Sequence, residues 1–594
     1  ELTRDNISST GQPNWNQTAD GLHEAQMYQG GYPLQHVINS TFLNANLVNG
    51  TNVLCVQTHN RTSNSSDMSS RVFLSLGINN TSNDYGPTPP WFVPPFVFSS
   101  SNLPIVVINT AGGAQIPNEP KIDATMGIIY NGEGVTNSIS DPYNEFEGNI
   151  GIEIRGSSSS GFPKKQWGLE TRDPMGNRID VSIFDMAYDN DWILQAPYSD
   201  KSLMRNVITY KMGWDTDHYA PRTKFCEVVL NGEYQGVYVF MEKIKRKDGK
   251  VGIDDVLPQD IADNELTGDY IFKVDKLTAG GQVAWTSPYP TYPNGSNTID
   301  IQLHDPDLDS LVPVQLSYLQ NTVTAFEAAL SSNSFTDPVQ GYDPYIDRQS
   351  FIDFMLVNEF GKNVDGYRIS TFLHKRRLSE GGKIFAGPLW DLNLAFGNAN
   401  YCQGGDTDGW EIYFNSYCGG GLDNPFWFER LTQDPNFANE MHCRWRDLRA
   451  GKCHTDTLMA YIDEQANLLS QAQARNFQKW PVLGTYLWPN NFVGNTYDEE
   501  IAYLKSWITD RANWMDANMF GSCLNWSVEE TEMIQARVFP NPANDHVLFE
   551  FTKQLSDASL ELFDHAGRKV HSTRIQNTFD LEVDISDYAS GVYT

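Results

Sequence analysis

Two aspartates stand in segments that read as loops, Asp365 in Lys362-Asn363-Val364-Asp365-Gly366 and Asp391 in Trp390-Asp391-Leu392-Asn393. A carboxylate beside side-chain amides outlines a divalent-cation site. Mg²⁺ takes one or two carboxylates and completes its shell with water and phosphate oxygens, and Asp391 with an amide at Asn393 or Asn363 matches that requirement. The same residue types also serve Asx-turns and helix caps, so spacing alone leaves a purely structural role open.

Phosphate would need positive charge and a backbone that lets it approach. Arg155-Gly156-Ser157-Ser158-Ser159-Ser160-Gly161 lies between two strand patterns, and the amides of such small residues can reach phosphate oxygens. Lys164-Lys165 follow on the way into the next strand. Ser and Gly also punctuate ordinary turns. Two weaker candidates have metal-like spacing: His304 to Asp309 lacks the Gly and Glu of a calcium loop and reads better as a helix cap, and Asp406-Thr407-Asp408 lies between two cysteines. The chain contains neither G-x-S-x-G nor H-E-x-x-H.

These residues need elements to hold them. A helix over Arg348 to Phe360, with Phe351, Phe354, Met355 and Phe360 on its apolar positions, ends near Gly361 and delivers the Asp365 loop. Strands over Arg368 to His374 and Lys383 to Ala386 then form a hairpin that delivers Asp391. Helix, acidic loop, hairpin and metal-binding aspartate follow one another as in the catalytic half of a protein kinase. Upstream, strand patterns run over Leu103 to Asn109, Thr125 to Tyr130, Ile150 to Arg155, Gln166 to Arg172, Lys224 to Leu230, Gly236 to Glu242 and Gly268 to Val274. Downstream, helical periodicity covers Leu311 to Leu330, Phe426 to Arg449, His454 to Phe477 and Thr496 to Met519. A β-rich half followed by an α-rich half predicts an α+β, two-lobed domain with its site in the cleft.

The flanks differ in composition. Apolar runs at His36 to Phe42, Asn52 to Gln57 and Val72 to Leu76 predict short strands of a β-sandwich. Pro-rich sequence from Tyr85 to Pro95 predicts an extended linker. Past Trp526, strands are expected at His546 to Phe551, Ser559 to Phe563 and Lys569 to Ile575. The expected domains are 1–84, whose Val48 to Asn60 stretch resembles a strand of the jelly-roll modules of carbohydrate-active enzymes and implies a partial jelly roll; 85–99, linker; 100–523, the large domain; 524–535, linker; and 536–594, a truncated Ig-like sandwich.

The formal charge of −32 argues against a nucleic-acid or anionic-membrane binder, since phosphate-rich partners need concentrated positive charge. No apolar run is long enough to predict a membrane span. The 7 cysteines include no C-x-x-C, which disfavours a zinc ribbon. Close pairs, Cys402 with Cys418 and Cys443 with Cys453, fit either disulfides or free thiols, and the second pair is expected to bond across a short inter-helix loop.

Five blocks, "IGIEIRGSSSSGFPKKQWGLETRD", "DWILQAPYSDKSLMRNVITYKMG", "YAPRTKFCEVVLNGEYQGVYVFMEKIKR", "FIDFMLVNEFGKNVDGY" and "GPLWDLNLAFGN", occur in the order of the spore-coat CotH family of atypical, secreted-type kinases. The large domain closely resembles that family. The order "VFPNPANDHVLFEF … LELFDHAGRKV … DISDYASGVYT" resembles the C-terminal sorting domain of the type IX secretion system of Bacteroidetes-type bacteria. The first likeness implies binding of ATP and Mg²⁺ or Mn²⁺ and phosphorylation of Ser or Thr in protein partners. By position it implies Asp365 as catalytic acid, Asp391 as metal ligand and Lys165, with Lys164 as alternative, as the nucleotide lysine. Arg155 is implied as a phosphate contact, Arg205-Asn206 as orienting the helix or capping its end, and Glu242 as facing the nucleotide or pairing with Lys243. The family often has Asp where this chain has Asn393, which removes one charge from the metal site.

The expectation is therefore a secreted or cell-surface, ATP- and metal-dependent kinase, with a protein substrate or surface ligand, possible glycan contact through the N-terminal module, and secretion machinery as a partner of the C-terminal one. The alternative is a non-catalytic adhesin or glycan-binding protein on a pseudokinase scaffold. Glycoside hydrolysis is a third class, although no acid pair is marked out for it.

Overall fold

The computed structural model describes residues 97–278, 281–292, 295–418, 421–523, 536–555, 558–564 and 568–593, with scattered positions before residue 61 and residue 62. The chain divides between Ser99 and Ser100 into two units. In the first, a short helix, Ser40–Asn46, overlaps the strand expected over His36 to Phe42. Val37 and Ile38 are adjacent in the sequence, so the run lacks the alternation a half-buried strand needs. Residues 52–59 carry no strand. The run at Val72 and the linker from Tyr85 to Pro95 lie outside the described residues.

The second unit is mixed α+β. It opens with seven strands: β1 Ile105–Thr110, β2 Ile122–Ile129, β3 Phe146–Arg155, β4 Gln166–Arg172, β5 Asp191–Gln195, β6 Thr223–Leu230 and β7 Glu233–Glu242. They close into a barrel in the order β1-β2-β3-β4-β5-β7-β6, antiparallel except where β1 meets β6. Closure removes the exposed edges an open sheet of this size would leave. Side chains of alternating residues fill the interior, among them Ile150 and Ile152 of β3, Leu169 of β4 and Trp192 and Leu194 of β5, while Trp167 stacks on Tyr238 at 5.0 Å. Helix α1, Arg205–Asp215, connects β5 to β6 and is buried along most of its length.

A five-stranded antiparallel sheet follows, built from β8 Tyr270–Val274, β9 Trp285–Thr286, β10 Asp300–Asp305, β11 Thr371–Lys375 and β12 Ile384–Ala386, in the order β9-β10-β8-β11-β12. Around it lie α2 Pro313–Ser331, α3 Arg348–Gly361, α4 Pro435–Ala450, α5 Thr455–Lys479 and α6 Tyr497–Asn518. The helix expected over Phe426 to Arg449 is interrupted. A short helix ends at Leu431, and Pro435 opens α4 with Asp434 as its cap, because proline lacks the N–H that an unbroken helix would require. Helix α5 packs on the barrel, with Asn476 receiving the Val237 amide at 3.1 Å and Arg475 paired with buried Glu227.

Glu327 of α2 is buried and receives Ser287 Oγ at 2.8 Å and Trp427 Nε1 at 3.0 Å on one oxygen, its other oxygen having no partner. Burial outweighs those bonds and pushes its pKa up to about 7. A carboxyl whose folded pKa is raised stabilises the fold below its unfolded pKa, and that contribution is lost as pH rises through the folded value. Glu327→Gln keeps the acceptor and removes the titration. The fall in melting temperature between about pH 5 and pH 8 is therefore expected to be shallower in the variant. Thermal melts across that range check it.

Cys402 is bonded to Cys418, and Cys443 to Cys523. The expected Cys443–Cys453 bond is corrected. Cys443 sits within α4, about 10 Å along the axis from the helix end, whereas Cys453 lies past that end as a free thiol in the apolar core. The C-terminal segment forms β13 Ala536–Phe539, β14 His546–Leu555, β15 Ala558–Phe563, β16 Lys569–Ile575 and β17 Thr578–Asp584. These make a three-stranded sheet, β13-β14-β17, and a two-stranded one, β15-β16, sharing a core of Val547, Phe549, Leu562, Ile575 and Val583. No helix among the described residues is long and apolar enough to cross a membrane.

Candidate functional site

Helix α3 starts at Asp347, whose side chain accepts the Ser350 amide, and stops at Gly361, where Lys362 turns into the left-handed region with φ 41°. The next turn closes with the Gly366 amide donating to Asn363 O at 2.7 Å. A Cβ at Gly366 would lie 2.8 Å from that carbonyl oxygen, so only glycine fits. Asp365 projects from this turn. Its Oδ1 receives Arg368 Nη2 at 2.7 Å and, at a longer 3.5 Å, the Tyr401 hydroxyl. Beneath the turn, buried Glu359 accepts the amides of Glu411 and Ile412 at 2.7 and 2.8 Å and the Tyr367 hydroxyl at 3.0 Å.

The β11–β12 hairpin carries the chain to Asp391, which has φ 57°. A non-glycine residue in that region is strained and persists only where its surroundings hold it. Here its amide donates to the buried Tyr210 hydroxyl of α1 at 3.2 Å. The following loop is pinned by Arg205, buried beside Asp200, which donates to Ala395 O at 3.1 Å. Arg205 thus ties the start of α1 to the Asp391 loop.

Three further elements converge on these acids. Arg155, the last residue of β3, lies 5.6 Å from the ring of Trp390, next to Asp391. Asp275 and Lys276 follow β8. Asp275 accepts the amides of Lys276 and Ser370 at 2.9 and 3.2 Å, stitching the sheet to the Asp365 loop. Lys276 Nζ reaches Ser158 Oγ at 3.3 Å and so links that sheet to the Ser157–Gly161 segment of the barrel.

The electrostatics follow from this crowding. Asp391 is exposed on one side yet closely surrounded by protein on the others, and the partial loss of water pushes its pKa up to about 6. The Asp365 and Asp275 charges add to the rise, and Arg155 and Lys276 oppose it. Burial also raises Asp365, against the pull of Arg368, Lys276 and the Tyr401 hydroxyl. Neighbouring carboxylates incompletely neutralised by cations attract further positive charge.

The expected lysines are not partners of either carboxylate. Lys164 is buried, donates to Val237 O at 2.5 Å and Asn476 Oδ1 at 2.8 Å, and lies over the Tyr238 ring, an environment whose dryness lowers its pKa to about 7. Lys165 folds back to Ser160 O at 2.7 Å. Arg155 and Lys276 are the cations that influence Asp391. Glu242 is likewise corrected: it is buried and committed to Arg222, at 3.0 Å from Nη1 and 2.9 Å from the amide, rather than to Lys243. Asn363 is buried and its Oδ1 receives the Asp365 amide at 3.4 Å, so it shapes the loop. Asn393 is half-buried in the same loop as Asp391.

Among the described residues no three His, Cys, Asp or Glu are grouped closely enough to hold a metal by themselves. Asp391 and Asn393 share one loop and the Asp365 charge acts on Asp391, a donor set of the type that Mg²⁺ or Mn²⁺ takes when water and phosphate oxygens complete the shell. Sequence reasoning missed Asp275, Lys276, Arg368 and Tyr401. The one local signal was the charged pair Asp275-Lys276 ending an apolar strand pattern.

A family model described as CotH kinase protein matches residues 152–515. A second, described as secretion system C-terminal sorting domain, matches residues 537–594. No curated protein matches the chain.

Proposed function

The chain belongs to the CotH kinase protein family, and from that premise we propose that it transfers the γ-phosphoryl group of ATP to serine or threonine hydroxyls of extracellular or surface proteins. Its sorting domain makes it a secreted or cell-surface protein and implies contact with secretion machinery. The barrel and the helical half act as two lobes around the cleft. The observation that carries this reading is the convergence of Asp365 and Asp391 with Arg155 and Lys276 beside the Ser157–Gly161 segment.

Each group has a task. Asp391, with the amide of Asn393, would hold Mg²⁺ or Mn²⁺, which when bound neutralises charge on the phosphate oxygens. Arg155 and Lys276 would take the remaining phosphate charge, and the small residues of Ser157–Gly161 let backbone amides approach. Asp365 would orient the acceptor hydroxyl through Oδ2, which no donor among the described residues engages, since Arg368 and Tyr401 both hold Oδ1. The acceptor oxygen forms a bond to the γ-phosphorus as the bond to the β-phosphate oxygen breaks. ADP leaves, and the hydroxyl proton passes to Asp365. The N-terminal module, residues 1–84, would add glycan contact.

Asn393 favours one narrower reading, a pseudokinase that binds nucleotide without transfer, because a missing carboxylate weakens metal binding. Thermal shift with ATP and either metal tests the site common to both. Binding at 100 times Kd stabilises the native state by about 2.7 kcal/mol, which gives a readable rise in melting temperature. Lys276→Ala is expected to weaken ATP about tenfold or more, the cost of a charge-assisted contact. An absence of any shift at millimolar ATP with both metals would sink the nucleotide reading. A shift without phosphate transfer to protein would select the pseudokinase.

A further inference from the structure

Asp365 is gripped on one oxygen from two directions. Arg368 reaches Oδ1 from within the same turn, anchored by its Nε on Val364 O at 2.8 Å, and its guanidinium lies 4.4 Å from the Phe414 ring. Tyr401 reaches the same Oδ1 from a separate segment. Phe414 lies within the loop closed by the Cys402–Cys418 bond, and Tyr401 immediately precedes it. Tyr401 is in turn braced from outside. Trp488 stacks on its ring at 5.7 Å with the planes 12° apart, and the neighbouring Asn400 donates its amide to Pro489 O at 2.8 Å and its side chain to the Tyr486 hydroxyl at 2.9 Å. Trp488 remains 58% exposed, so the stack does little for the core and its contact is with Tyr401.

Both donors engage Oδ1, and no donor among the described residues engages Oδ2. Arg368 by itself, on a side chain of four rotatable bonds, anchors the oxygen but not its plane; a second donor from another direction does. At 3.5 Å the Tyr401 hydroxyl is at the long limit of hydrogen bonding to Oδ1, and a catalytic contact of this kind is expected to tighten in the complex with the acceptor.

We propose that Tyr401 is a positioning residue for the transfer reaction, its hydroxyl braced by Trp488 so that Asp365 presents Oδ2 to the acceptor hydroxyl. The proposal rests on the phosphoryl-transfer reading. Neither Tyr401 nor Trp488 touches the groups assigned to nucleotide, so the effect belongs on turnover and not on ATP affinity. Trp488 acts only through Tyr401, so its loss should count for nothing once the hydroxyl is gone.

The test uses the full chain and Mg²⁺-ATP turnover to ADP, with and without dephosphorylated casein as acceptor. Tyr401→Phe, which keeps the stacked ring, is expected to lower kcat about tenfold while KM for ATP and the nucleotide-free melting temperature stay at wild-type values. Trp488→Ala, a change at an exposed position, is expected to lower kcat in the same direction. The double variant should lose no more than Tyr401→Phe alone. An unchanged kcat in Tyr401→Phe, a parallel rise in KM, or additive losses in the double variant would each overturn the proposal while leaving the transfer reading intact. A wild type that forms no ADP overturns both.

Discussion

Asp391→Ala is expected to abolish the metal-dependent ATP melting shift and to lower phosphate transfer by about 10³-fold or more, the scale of losing a principal charge-stabilising group. The reason is numerical poverty at the site. Asp391 is the one carboxylate on its loop, its neighbour Asn393 is neutral, and the nearest other acids, Asp365 and Asp275, are respectively held by Arg368 and by Lys273 with the Ser370 amide. Without Asp391 an amide would hold the ion alone. Arg155, no longer opposed by that charge, would also lean toward the phosphates. Weak, metal-independent ATP binding is therefore the residue expected in calorimetry, and metal-dependent binding at wild-type affinity would refute the assignment.

Arg511→Met is expected to cost the domain about 3–5 kcal/mol, the penalty of removing one partner from a buried ionic cluster. Arg511 is fully buried and donates to Glu359 O at 2.6 Å from Nη2, and to Thr407 O and Gly409 O at 3.1 and 2.6 Å from Nη1, with Glu359 Oε2 3.5 Å away. Methionine fills the volume but leaves Glu359 and Glu411 facing each other. Burial first, and Glu359 second, already push Glu411 up to about 8. For a carboxyl raised in this way the stability is present at low pH and drains as pH climbs through the folded value. Removing Arg511 raises both carboxyls further, so the variant should be most destabilised near pH 8 and least near pH 5. Denaturant melts at the two pH values check the sign. Because this cluster underlies the Asp365 turn, the variant should also lose turnover at pH 8 before it loses its fold.

Much of the scaffold was legible in sequence because its signals are local. Gln166 to Arg172 alternates as a strand and is one, and α3 runs from an Asp cap to a glycine stop as its periodicity predicts. Both acidic loops were found because each follows directly from its own element. Strand β5, by contrast, was missed. Its five residues, Asp191–Gln195, are all buried, and a strand walled on both faces has no alternation to read. The Cys443 partner was misread for a different reason: nearness in sequence was taken for nearness in space, whereas the helix carries Cys443 away from Cys453 and toward Cys523, 80 residues on.

Where the acids stand, which element delivers each and the close resemblance to a kinase-like family with a sorting tail can all be read along the chain. Which cations answer those acids depends on packing between distant elements. Lys164 and Lys165 precede a strand just as a phosphate lysine should, but the direction a side chain takes there depends on what packs behind it. Asn476 of α5, 312 residues from Lys164, draws that ammonium into the barrel wall. Lys276 meets Ser158 across 118 residues, and Tyr401 meets Asp365 from the far side of a hairpin. Electrostatic partnership falls with distance in space and is indifferent to separation along the chain, so the charges that complete this site were set by packing between elements and left no periodicity behind.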